Sequence, residues 1–111
     1  MEMDYLNKNG FFDDHEIIKI GNIEAWIGNG AVLNNYVLEM ELPMVWEGAP
    51  ANIFKARKGW VAFILDENES EWSLAHCYIP DPEHRLTLRQ LLIILGEIRE
   101  SILKELNELL D

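Results

Sequence analysis

The strongest constraint on this chain lies in its last quarter, where Leu88, Leu91, Leu92, Leu95, Ile98, Ile102, Leu106 and Leu109 recur with a helical period of about 3.6 residues. The start is legible as well, because Thr87 precedes Gln90 by three residues, the spacing of a capping box. Asp81 and Glu83 stand just upstream and favour the positive end of the helix dipole. The pattern predicts a helix over 87–110, about 22 residues and roughly 33 Å long. Glu100 and Lys104 add a small i, i+4 bonus. A single apolar stripe must be buried against a second layer.

Residues 15–80 supply that layer in the vocabulary of strands. Ile17, Ile18, Ile20, Ile23, Trp26 and Ile27 are β-branched or aromatic and closely spaced, with Gly21-Asn22 marking a bulge or tight turn. Gly28-Asn29-Gly30 reads as the tip of a hairpin. The return strand is expected over 36–42, where Tyr36, Leu38, Met40 and Leu42 alternate with Val37, Glu39 and Glu41 until Pro43 closes the run. A loop over 44–50 follows, then apolar residues from 52 to 65 that form either one bulged strand or two. The polar turn Asp66-Glu67-Asn68-Glu69-Ser70 leads into a last strand over 72–79. A short helical turn is expected over 2–8. Every connection is short, so the fold class is α+β: an antiparallel meander of four or five strands with one long C-terminal helix packed on the sheet, in a single domain spanning 1–111.

Composition narrows the function. The chain carries 20 Asp and Glu against 9 Lys and Arg, a net charge of −11, on a sequence that is 49% hydrophobic. Disordered acidic tails lack such apolar content, so this chain folds and presents a strongly negative surface. That field opposes nucleic acid and anionic lipid and favours a basic partner. Cys77 is the only cysteine, which excludes an intrachain disulfide and disfavours a thiolate zinc site. The start Met-Glu-Met-Asp-Tyr is too acidic for a signal peptide, and the longest apolar run, Trp60 to Leu65, is far short of a membrane span. A cytoplasmic protein without cofactor is expected.

Motifs for chemistry are weak. Asp13-Asp14-His15-Glu16 offers four ligand atoms in a row, but neighbours along a strand point to opposite faces, so a solvated loop is the plainer reading. His76 and His84 could approach one another across the Pro80–Pro82 turn, yet without a known zinc spacing. Cys77 on a strand reads as a small buried hydrophobe, since an activated thiolate needs positive surroundings. Gly28 and Gly30 lead into an expected strand, whereas a phosphate loop opens onto a helix. Lys55, Arg57 and Lys58 beside Trp60 form the one basic cluster.

The carboxylates themselves suggest a surface. Asp66, Glu67, Glu69 and Glu71 crowd one hairpin tip, Glu39 and Glu41 are expected to share a strand face, and Asp13 and Asp14 begin the sheet. Together they would make a charged plate, with Trp46 and Trp72 supplying apolar contact area. The expected function is a small, non-enzymatic binding protein that inhibits a basic nucleic-acid-processing partner by nucleic-acid mimicry. In size and charge it parallels immunity proteins and phage anti-defence proteins, an analogy of physical class alone. The alternative is a homo-oligomeric module assembled through the C-terminal helix. There Ile93 falls opposite the apolar stripe and Arg99 inside it, where either residue is an ordinary surface exception or a contact to a second copy. A third reading is a ligand pocket between helix and sheet lined by Trp26, Tyr36 and Tyr78.

Overall fold

The computed structural model describes residues 2–66 and 73–110. In chain order these form α1 (Glu2–Lys8), β1 (Glu16–Ile20), β2 (Ile23–Ile27), α2 (Gly30–Met40), β3 (Met44–Trp46), β4 (Ala51–Lys55), β5 (Gly59–Leu65), β6 (Ser73–Pro80) and α3 (Leu88–Leu110). The six strands make one sheet in the order β1-β2-β6-β5-β4-β3, and every pairing is antiparallel. The expected α+β architecture holds, with the long C-terminal helix on the sheet. Residues 52–65 are two strands joined by a turn, and Gly21-Asn22 is the turn of the β1–β2 hairpin.

The expected return strand over 36–42 is instead α2. Asn29 is not a hairpin tip but an N-cap, and its Oδ1 accepts from the Ala31 and Val32 amides at 2.9 and 3.3 Å. The helix buries Val32, Leu33, Tyr36 and Val37, a spacing of i, i+1, i+4 and i+5. It ends where Glu41 adopts a left-handed conformation, φ 49°. Period-two alternation in 36–42 was therefore the tail of a helical pattern whose anchors lie earlier. Glu39 and Glu41 accordingly share no strand face: one lies on the exposed side of α2 and the other is its C-cap. Because α2 carries the chain from β2 to the far edge at β3, strands β3 to β6 meander back until β6 pairs with β2.

Both faces of the sheet are covered. On one, α3 packs Leu91, Ile94, Leu95 and Ile98 against Ala25, Ile53, Trp60, Ala62, Ile64, Cys77 and Ile79. On the other, α1 and α2 close over Phe11, Val61 and Tyr78 with Leu6, Leu33, Tyr36 and Val37. A strand buried on both sides reads as an unbroken apolar run, which is why β5 shows no polar alternation. The capping box at α3 is formed as expected: Gln90 N–H donates to Thr87 Oγ1 at 3.1 Å, and Thr87 N–H to Gln90 Oε1 at 2.8 Å.

At the start of α1 lies the most highly connected polar side chain among the described residues. Glu2 is only 5% exposed. Its Oε2 accepts from the Tyr36 hydroxyl (2.5 Å) and the Arg57 amide (3.0 Å), and its Oε1 from the Lys58 amide (3.0 Å) and the Tyr78 hydroxyl. One carboxylate therefore joins α1, α2, β6 and the β4–β5 turn. Burial, with the Glu2 carboxylate adjacent, pushes both phenols above the ordinary tyrosine range.

Candidate interaction surface

Strand direction sorts the charged residues by end. β5 runs from Gly59, opposite Pro80, to Leu65, opposite Ser73. β1 begins at Glu16 beside Ile27, and the Gly28 amide continues that edge by donating to His76 O at 3.2 Å. Glu16 is therefore level with Cys77 and Ala62, near the middle of the sheet, and the loop bearing Asp13 and Asp14 leaves β1 there on the side toward which β5 runs. That loop and Gly28-Asn29 line a shallow polar cleft of about 350 Å³. Asp66 follows the last residue of β5 at the end of the sheet, about three strand spacings or 14 Å across from β1 and about four residues or 13 Å further along the strand direction than Glu16.

α3 arrives at the same end. Arg99 Nε donates to Leu65 O at 2.8 Å, and its Nη2 donates to Asp66 O. The guanidinium thus satisfies the last carbonyls of β5 from within the chain. Beyond it the helix continues to Leu110, and its sheet-facing stripe outruns the sheet: Leu106 is 41% exposed and Leu109 is 78% exposed. Glu100, Glu105 and Glu108 flank this overhang. The acid end therefore combines Asp66 and the α3 overhang at the margin of the sheet with Asp13, Asp14 and Glu16 set back on the β1 edge, contributed by three separate parts of the chain.

The opposite end differs in character. The β4–β5 turn meets the segment after β6, where Asp81 N–H donates to Lys58 O at 2.9 Å and His84 Nε2 lies 2.7 Å from Ala56 O. Lys55, Arg57, Lys58, Arg85 and Arg89 gather here, five of the nine cations in the chain. Asp81 is held in place by Trp60 Nε1 at 2.9 Å and by the Arg85 and Leu86 amides. Burial alone would raise its pKa, but these donors outweigh it and hold the carboxyl below the usual range. Glu39 also lies toward this end, accepting from Tyr5 on α1, whose phenol burial and Glu39 together push upward. Hence the expected plate is divided: Glu39 and Glu41 stand away from Asp13, Asp14 and Asp66.

The remaining candidates resolve individually. Trp46 sits on the edge strand β3, partly exposed, with its indole N–H donating to Ala49 O at 3.3 Å. Glu67, Glu69, Glu71 and Trp72 lie outside the described residues. Ile93 projects from the outer side of α3, 56% exposed. His76 and His84 do not converge, because His76 packs on Phe63 on the α2 face and His84 on Trp60 on the α3 face. Cys77 is fully buried and its thiol is pushed up to about 12 by desolvation, so it is held as a neutral thiol. The space between Trp26, Tyr36 and Tyr78 is filled: Trp26 stacks on Tyr78 at 5.5 Å, and both tyrosine hydroxyls bond Glu2. Among the described residues no group of three His, Cys, Asp or Glu side chains could hold a metal, and no helix is long and apolar enough to cross a membrane.

Sequence reasoning missed the Glu2 clamp altogether, since a glutamate at position 2 of an acidic chain carries no burial signal. It also missed the grouping of the acid end by topology, which depends on α2 sending the chain across the sheet. No protein-family model, curated protein or solved structure is significantly similar to this chain.

Proposed function

We propose that this protein is a small, non-enzymatic inhibitor that docks its acid end onto a basic, nucleic-acid-processing enzyme and occupies the surface that enzyme uses for phosphates. The observation that carries the reading is the placement of Asp66 beside the α3 overhang at the margin of the sheet, with Asp13, Asp14 and Glu16 set back on the β1 edge of the same side, while five of the nine cations stand at the other end. The charge steers encounter, and the exposed leucines of the overhang supply the desolvated area that charge alone lacks. Immunity and anti-defence proteins are the physical class that this combination fits.

The test is capture of the tagged chain from nuclease-treated lysate of its own cell of origin, washed at low and then moderate salt. The expected result is a basic nucleic-acid enzyme released by salt, whose activity falls when the purified protein is added and recovers when excess duplex DNA competes. A captured partner that is not basic, or one whose activity is indifferent to the protein, contradicts the proposal.

A further inference from the structure

At the cation-bearing end of the sheet four donors converge on one point. The successive Arg57 and Lys58 amides and the Tyr36 and Tyr78 hydroxyls share the two oxygens of the Glu2 carboxylate, one amide and one hydroxyl to each. Successive backbone N–H groups aimed at one oxyanion form the nest by which proteins capture a carboxylate from another molecule. Here the chain supplies the anion itself, and α1 sits in the nest as a ligand would. It takes no part in the sheet, and its seven residues are fewer than the roughly 12–15 at which a helix holds by itself in water. Leu6, fully buried, is its other deep anchor, and Gly10 at φ 85° turns the chain behind it. Lifting α1 breaks no strand pairing. A cleft of about 250 Å³, lined by Tyr5, Tyr36, Met40 and Arg57, opens onto Glu2 from solvent.

The cleft and its surroundings select the ligand. Among the described residues the Arg57 guanidinium forms no ion pair, so it is free to meet an incoming anion, and Lys55 and Lys58 stand beside it. Two amides and two hydroxyls shared between two oxygens match the flat face of a carboxylate, and the cleft volume suits an acid of a few carbons. We propose that the nest is an oxyanion-binding site held shut by α1, and that the carboxylate of a small organic acid takes the place of Glu2 as α1 lifts. The four bonds re-form on the ligand and Arg57 adds another, which offsets the exposure of Leu6. Because Glu2 is tethered, it competes at an effective concentration on the order of millimolar or more, so the site answers to an abundant acid. It lies away from the acid end and is independent of the inhibitor reading.

Glu2→Ala removes the heavy atoms of acetate from the nest, so acetate is the probe. Variant and parent are compared in sodium acetate and in sodium chloride of equal ionic strength. Acetate should stabilise the variant saturably, half-maximally at roughly 10–100 mM, and lower its unfolding constant about tenfold at ten times that concentration. The Arg57 and Lys58 amides should carry the largest nuclear magnetic resonance shifts. In the parent, hydrogen exchange at the α1 amides should speed up by the same factor in acetate while those of Val61 and Tyr78 stay protected, because the ligand holds α1 open. A variant that acetate neither stabilises nor, if unfolded, refolds overturns the site. Parent α1 amides that exchange only with the whole fold, or that ignore acetate, overturn the exchange.

Discussion

Replacing Glu2 by glutamine removes one oxygen from the most heavily shared side-chain acceptor among the described residues. Each carboxylate oxygen takes one backbone amide and one tyrosine hydroxyl: Arg57 N–H and Tyr36 on Oε2, Lys58 N–H and Tyr78 on Oε1. A hydroxyl can rotate to accept from the new –NH₂, but a backbone N–H can only donate. One amide of the β4–β5 turn is therefore left facing a donor in a site that is 5% exposed. An unsatisfied buried donor costs about 1–3 kcal/mol, and bonds to a neutral amide are weaker than bonds to a carboxylate. Glu2→Gln should thus lose about 2 kcal/mol, a Tm lower by roughly 9 °C for a domain of this size. Urea or thermal unfolding followed by circular dichroism measures it. Tyr36→Phe should cost less, about 1–2 kcal/mol, since three donors remain on the carboxylate. The two changes should be non-additive in a double-mutant cycle. A Glu2→Gln variant within about 0.5 kcal/mol of the parent, the range of an ordinary surface substitution, would refute the clamp.

The raised phenols of Tyr36 and Tyr78 bind their protons more tightly folded than unfolded, so their stabilisation is full below about pH 10 and lost as pH rises above it; unfolding free energy measured from pH 8 to 11 should fall, and a flat profile would contradict the burial. His76 behaves oppositely: burial lowers its pKa, so stability should decline as pH falls below about 6.5, and His76→Gln should flatten that limb. Gly30→Ala places a methyl 2.4 Å from His76 Nδ1 and should cost about 1–3 kcal/mol, part of which His76→Ala returns; equal stability of the single variant would show that the helix is not seated there. Asn29→Ala removes the cap of α2 and should cost about 1 kcal/mol in denaturant melts, with no loss meaning that the cap is dispensable.

The parts of this fold legible in the sequence are those where one local signal decides. The 3.6-residue stripe with Thr87 and Gln90 defined α3, whereas Gly21-Asn22, readable only as a bulge or a tight turn, is the turn of the first hairpin, whose tip was expected at Gly28-Asn29-Gly30. The segment 29–42 misled because two local readings competed. Tyr36, Leu38, Met40 and Leu42 alternate as a strand would, while Asn29 with Leu33, Tyr36 and Val37 spells a capped helix. Tertiary context settled the contest, since only a helix closes over Phe11, Val61 and Tyr78 while seating Gly30 against His76. The acid end was legible as composition but not as geometry. How near Asp13 comes to Asp66 is set by the order β1-β2-β6-β5 and its register, which no short stretch of sequence encodes. Glu39 and Glu41 were misassigned with the strand that carried them.

The central claim, that binding belongs to the acid end and not to negative charge in general, is tested by capture with two charge-reversed chains of equal size of change. One carries Asp13→Lys and Asp14→Lys at the acid end, and the other Glu39→Lys and Glu41→Lys at the opposite end, both confirmed folded by circular dichroism. The account predicts that the basic partner is lost from the first and retained by the second, although their net charges are identical. Partner binding that survives in the first, or that falls equally in both, would contradict it.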